Sequence, residues 1–187
     1  FLFIFVGQFV PRKQLDVLIY ALAELEPDTF ELWVVGSGQL EDHLSELAKH
    51  RLGKSVVWLG KKDIKDVPSL IAQSDCLVLP SWHDGWGAVI SESLMVGTPV
   101  ICTSACGACV VVEASRVGAV VSNNKIELVK ALAEQVEQGP WPKDSRNLLK
   151  NWAECLGANK GANYLLDILK HLTSGVDLPE APWKPFD

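Results

Sequence analysis

DCLVLPSWHDGWGAVISESLMVGTPVICT, residues 75–103, is the stretch on which the fold turns. Its first part, 75–81, is a short, continuously apolar run closed by Pro80 and Ser81. A loop with two glycines follows, then an apolar helix over about 88–96, then a second apolar run at 98–103. Strand, loop, helix and strand in this order make a β-α-β unit, and strands joined by such a crossover run parallel. The runs stay apolar instead of alternating with polar residues, as expected where both faces of a sheet are covered.

The same grammar extends outward. Upstream, FLFIFVG (1–7), ELWVVG (31–36) and SVVWLG (55–60) read as strands that each end in glycine. Between them Leu15, Leu18, Ile19, Leu22 and Leu25 mark one helix face, Leu40, Leu44 and Leu47 a second, and Val67, Leu70 and Ile71 a short third. Downstream, GAVVS (118–122) is a sixth strand. The prediction is an α/β domain over residues 1–140, with a Rossmann-like, doubly wound parallel sheet of about six strands. Ile126, Val129, Leu132, Ala133 and Val136 form its last helix, stopped by GPWP at 139–142. Helices at about 145–155 and 160–172 are expected to pack on it as a C-terminal segment, 141–175. A Pro-rich tail, 176–187, with Pro179, Pro182 and Pro185, closes the chain.

Composition narrows the class. Apolar residues make up 48% and charged residues 21% of the 187, as in an ordinary globular domain and unlike a disordered, collagenous or disulfide-stapled chain. The net charge of -6 lacks the basic excess of a nonspecific nucleic-acid binder, so no nucleic-acid partner is expected. No run approaches the roughly 20 apolar residues of a membrane span. FLFIFVG has neither the basic flank nor the small-residue cleavage site of a secretory leader, and it reads as strand. A chain that opens inside a strand, without Met, is expected to be a fragment cut at a domain boundary. Cys102, Cys106 and Cys109 cluster as C-x3-C-x2-C, but no second half with Cys or His stands nearby. These three, with Cys76 and Cys155, are expected to be buried or half-buried thiols, with no metal.

In a doubly wound sheet the ligand lies beyond the carboxyl ends of the strands. Gly36-Ser37-Gly38 stands at such a place, but Glu41 occupies the third glycine position of G-x-G-x-x-G, and a carboxylate there opposes a pyrophosphate. An NAD-type site and a plain tight turn both remain open. The loop at 80–93 is richer. Gly85 and Gly87 let backbone approach a ligand, and the amides near Gly87 to Val89 form an anion site at a helix start. Asp84 and Glu92 bracket that site with carboxylates suited to paired hydroxyls, a combination that fits a ligand carrying both phosphate and sugar. Plain readings stand beside these. Asp84 can cap the helix, Glu92 can face solvent or pair with a lysine, and Lys13 can be a surface lysine beside Arg12. His83 reads as a loop residue, and Trp82 and Trp86 as core or pocket wall.

The loop resembles that of the group 1 (family 4) retaining glycosyltransferases of GT-B fold, whose donor-binding half carries P-S-x-x-E-G-F-G-x-x-x-x-E-A and then G-x-P-V. Here this stands as Pro80-Ser81-x-x-Asp84-Gly85-Trp86-Gly87-x-x-x-x-Glu92-Ser93, then Gly97-Thr98-Pro99-Val100. The family's G-R-L-x-x-x-K-G looks like Gly7-Gln8-Phe9-x-x-x-Lys13-Gln14, its G-x-G like Gly36-x-Gly38, and its v-x-f-l-G like Val56 to Gly60. The likeness runs from Phe5 to about Val121.

The resemblance implies that Glu92 binds the ribose hydroxyls of a nucleoside-diphosphate sugar and Asp84 the transferred sugar. It assigns Lys13 to the departing diphosphate, with these two carboxylates as the catalytic set. The loop and helix start at Gly85, Trp86, Gly87, Ala88 and Val89 would hold sugar and diphosphate, with Gly7, Gln8, Arg12, Gly36 and Gly38 around them. Leu59, Gly60 and Lys61 would line the nucleobase. Neither metal nor other cofactor is implied, the sugar nucleotide being substrate. An N-terminal acceptor domain outside this chain would complete the enzyme, so the chain alone is expected to be inactive. The acceptor would be a polysaccharide, lipopolysaccharide or glycolipid, in the cytoplasm, with the full enzyme peripherally associated with the inner face of a membrane. Three positions depart from the pattern. Asp84 is one methylene short, Gln8 replaces a cationic arginine, and Gln14 replaces a glycine. These departures motivate a degenerate, non-catalytic domain as an alternative, beside the NAD-type oxidoreductase reading.

Overall fold

The computed structural model of the protein describes residues 1–183. Six strands, β1 (Leu2–Val6), β2 (Glu31–Val35), β3 (Val56–Gly60), β4 (Cys76–Leu79), β5 (Val100–Thr103) and β6 (Gly118–Val121), form one sheet. Every neighbouring pair is parallel, in the order β3-β2-β1-β4-β5-β6. The six expected strands are therefore present, each within a residue or two of its expected limits.

Eight α-helices join and follow these strands: α1 (Leu15–Leu22), α2 (Glu41–Leu52), α3 (Val67–Gln73), α4 (Ala88–Met95), α5 (Cys109–Ser115), α6 (Lys125–Gln138), α7 (Lys143–Ala153) and α8 (Ala158–Ser174). Helix α1 packs with α2 and α6, whereas α4 packs with α3 and α7, and α5 with α7. Right-handed crossovers account for this split, because the chain winds first toward β3 and then, from β4 onward, toward β6. The sheet is covered on both faces, and Phe3, Ile4, Phe5, Leu77, Val78, Leu79, Val100 and Ile101 are wholly buried. That burial is why these strands read as unbroken apolar runs.

Sequence periodicity does not predict α5. Its Val110, Val111 and Val112 are β-branched and disfavour helix locally, but burial of Val111 and Val112 under the β5–β6 crossover outweighs that preference.

Helix α7 buries Leu149 and Ala153 against the sheet domain, and one polar side chain adds hydrogen bonds to it. The Arg146 guanidinium donates to the Ser74 carbonyl at 2.9 Å, the Ala72 carbonyl at 2.8 Å and Thr98 Oγ1 at 2.6 Å. It thereby satisfies carbonyls left open at the end of α3. At Gly97 (φ +78°) a Cβ would stand 2.4 Å from the Arg146 carbonyl oxygen, so the α4–β5 turn can approach α7 only as glycine. Residues 176–183 carry no helix or strand, and 184–187 of the expected tail, Pro185 among them, lie outside the described residues. No helix of the described residues is long and apolar enough to cross a membrane.

Candidate functional site

Strand order reverses between β1 and β4, so the loops that follow these neighbours diverge and leave a crevice at their carboxyl ends. After β1 the chain passes Gly7 and Gln8 and makes a tight 3-10 turn at Pro11–Lys13. After β4 it makes the loop 80–87 and enters α4. The crevice between them is a cavity of about 340 Å³, walled by Gly7, Gln8, Arg12 and Lys13 on one side and by Asp84, Gly87, Ala88, Val89 and Glu92 on the other. Nine expected site residues thus meet in one place.

Lys13 Nζ is paired with Asp84 Oδ2, and both side chains are largely buried. Arg12 Nη1 stands 3.8 Å from the same oxygen and 3.5 Å from the His83 carbonyl. The 3-10 turn therefore brings two cations to one carboxylate. Reading Asp84 as a helix cap does not survive, because Gly87 is the N-cap of α4 and no side chain caps it. Glu92 is half-buried on the cavity wall, with no ion pair or side-chain hydrogen bond among the described residues.

The loop holds its shape through backbone. Trp82 N donates to Arg12 O, Asp84 N to Ala105 O, Gly107 N to Asp84 O and Ala108 N to Trp86 O, at 2.8 to 3.1 Å. Between Asp84 N and Ile90 N, which donates to Gly87 O, the five amides of Gly85 to Val89 find no acceptor among the described residues. Gly87 adopts φ +81°, a conformation that favours glycine. A row of unpaired N–H groups at a helix start is an anion receptor.

A second cavity, about 320 Å³, continues the first past Gly7 and Gln8 to Gly36, Ser37, Lys61 and Lys62. Gly36 and Gly38 have a steric reason to be glycine. A Cβ on Gly36 would stand 1.9 Å from Gly7 O, and one on Gly38 2.6 Å from Phe9 N and O. The G-x-G turn must lie directly on the loop after β1, so its glycines are required whether or not a ligand binds.

Gly38, Leu59, Gly60, Gly85 and Trp86 lie outside the walls of these two cavities. Trp82 and Trp86, 57% and 42% exposed, are neither core nor cavity wall. His83 is exposed and enters the site only through its carbonyl. Sequence reading missed Val6, Ile64 and Val67 as apolar walls, and Ser37 and Lys62 in the second cavity. It also missed Ala105 to Ala108 as the support of the loop, since backbone contacts between distant turns leave no mark in residue type. Cys106 lies under that support, its Sγ 3.7 Å from Thr103 Oγ1, and burial pushes its thiol up. Among the described residues no three His, Cys, Asp or Glu side chains are grouped to hold a metal.

The family model for glycosyl transferases group 1 matches residues 1–154, which include every residue of both cavities. The chain belongs to this family.

Among curated relatives, the lipopolysaccharide core biosynthesis glycosyltransferase LpsE of Rhizobium meliloti is 41% identical over 100 residues, covering 52% of this chain and 28% of LpsE. The lipopolysaccharide glucosyltransferase WaaG of Escherichia coli is 27% identical over 152 residues, covering 76% of this chain and 40% of WaaG. The crystal structure of WaaG superposes with a TM-score of 0.72 at 26% identity, over 82% of this chain and 42% of WaaG. Anabaena HepE in complex with UDP also superposes at 0.72, with 25% identity, over 93% of this chain and 49% of HepE. The structural neighbours are GT-B glycosyltransferases, and the chain spans from about a quarter to a half of the lengths of these proteins.

Proposed function

We propose that the chain is the donor-binding half of a glycosyltransferase and takes a nucleoside-diphosphate sugar into the crevice between β1 and β4. The observation that carries this reading is the run of five unpaired amides, Gly85 to Val89, beside Lys13, Arg12 and the unpaired carboxylate of Glu92. HepE is described in complexes with UDP and with UDP-glucose, which makes uridine diphosphate the first nucleotide to test.

In this reading the diphosphate sits on the amide row, and the ribose hydroxyls donate to Glu92. Asp84 Oδ2 is committed to Lys13, which leaves Oδ1 for a sugar hydroxyl. As the bond from sugar to phosphate breaks through an oxocarbenium-like state, charge collects on the departing diphosphate. Lys13, Arg12 and the amides meet that charge from fixed positions, with little reorganisation. Arg12 supplies the positive charge that Gln8 cannot. As the family resemblance implies, the reaction would need no metal and would retain configuration at the sugar carbon. The acceptor site and the remaining catalytic groups would come from an N-terminal domain outside this chain, and the acceptor would be a polysaccharide, lipopolysaccharide or glycolipid. The chain by itself would bind donor without turnover, and the whole enzyme would work in the cytoplasm, at a membrane's inner face.

Titration calorimetry tests this. UDP or GDP should bind the native chain, and Glu92→Ala should weaken that binding about tenfold or more, the loss of two hydrogen bonds to a charged acceptor. Unchanged affinity in the variant overturns the assignment. A thermal shift with NAD and none with nucleoside diphosphates would point to an oxidoreductase domain. No response to any nucleotide would leave a non-catalytic domain.

A further inference from the structure

Trp86 is the one residue with a side chain between Gly85 and Gly87, and its ring turns away from the cavity. Its indole N–H donates to Ser91 Oγ at 3.1 Å, and its ring meets Trp183, centroids 6.0 Å apart at 54°. Trp183 in turn meets Tyr164 of α8 edge-on, centroids 6.0 Å apart at 72°. A three-ring stack therefore joins the amide-bearing loop to the C-terminal helix and to the segment after it.

We propose that Trp183 is a positioning residue for the amide row, holding the loop through the Trp86 ring. The proposal rests on the donor-site reading for its consequence, but not for its mechanics. Backbone hydrogen bonds fasten the loop at Asp84 and at the Trp86 carbonyl, and the ring contact adds a side-chain hold beside them. Gly85 has nothing within 4 Å of where a Cβ would stand, and both glycines loosen the backbone on either side of Trp86. The five unpaired amides cannot hold one another, because none is spent inside the loop. The Trp86 side chain is thus the only side-chain handle among residues 85–87, and aromatic pairs in tilted or edge-on contact have a preferred geometry. Pro179 and Pro182 restrict the segment that delivers Trp183, so less freedom is lost on docking than in a glycine-rich tail. Trp183 lines neither cavity, and the ring contact with Trp86 links it to the amide-bearing loop.

Hydrogen exchange and calorimetry on the full chain test this with Trp183→Ala and Trp183→Phe. The reporters are the amides of Asp84, Gly107 and Ala108, whose hydrogen bonds fasten the loop. In Trp183→Ala they should exchange about two- to tenfold faster, with the sheet amides unchanged, and UDP affinity should fall by a similar factor. Trp183→Phe should restore both most of the way. Unchanged exchange at these three amides overturns the proposal. So does a rise shared by the whole sheet, which would make Trp183 a general stability residue. If the native chain binds no UDP, the donor reading fails, yet confined acceleration at the three amides still supports the hold. If it binds UDP and Trp183→Ala changes neither readout, the hold fails and the donor reading stands.

Discussion

The ammonium of Lys13 rests on the carboxylate of Asp84, 71 positions away in sequence and on the opposite wall of the crevice. The pair closes the gap between the loop after β1 and the loop after β4, and it fixes the charge that faces a ligand. A carboxylate one methylene longer would reach further into the cavity, whereas Asp84 stays close to its partner. Arg12, Lys13 and Asp84 together carry one net positive charge, which faces the carboxylate of Glu92 in the same cavity.

The pair should be energetically coupled. Asp84→Ala strands a buried ammonium and should destabilise the fold by about 3 kcal/mol, whereas Lys13→Ala leaves the carboxylate Arg12 at 3.8 Å and should cost less. The double variant should lose less than the sum, with a coupling of about 1 to 2 kcal/mol. Urea denaturation of the four proteins measures this, and strictly additive losses would contradict the buried pairing.

Gln14 sits where the resembling family has glycine, and it adopts φ +50°, ψ +40°. Its Oε1 is buried with no hydrogen-bond partner. Gln14→Gly removes both penalties and should raise stability by about 1 kcal/mol in urea. Gln14→Ala keeps the backbone strain, so it should gain less than the glycine variant.

Gly36 tolerates no side chain. Its φ of +141° and the Gly7 oxygen 1.9 Å from a Cβ position leave nothing that can yield cheaply, since the obstacle is backbone. Gly36→Ala should cost about 3 kcal/mol or more and lower the melting temperature markedly. A variant as stable as the native chain would mean the turn lies further from the β1 loop.

Arg146 should be needed as a planar fork and not only as a charge. Arg146→Ala removes three hydrogen bonds from partly buried acceptors and should cost about 2 to 3 kcal/mol. Arg146→Lys should recover a minority of that, because an ammonium cannot span the acceptors that the guanidinium does. Thermal unfolding of the two variants separates charge from geometry.

Much of this protein was legible in its residues. Continuous apolar runs at 1–7, 31–36, 55–60, 75–81, 98–103 and 118–122 predict strands because two-sided burial demands them, and all six form. The loop from Pro80 to Ser93 shows its chemistry through residue types that have few other uses together: paired glycines, two carboxylates and an apolar helix start. Helix α5 escaped because its valines favour strand locally and only burial makes them helical.

What the residues could not decide was direction. Whether Asp84 caps a helix or holds Lys13, whether Arg12 joins the site, and whether Trp86 faces the cavity or Trp183 depend on how distant turns are set against each other. The glycines of G-x-G likewise look like a phosphate motif until the β1 loop is seen pressed on them. Local propensity and periodicity are written into a few neighbouring residues, so sequence alone determined the strands, every helix but α5, and the family. Side-chain pairing across 71 or more positions is set by packing of the whole sheet, and only the tertiary structure could supply it.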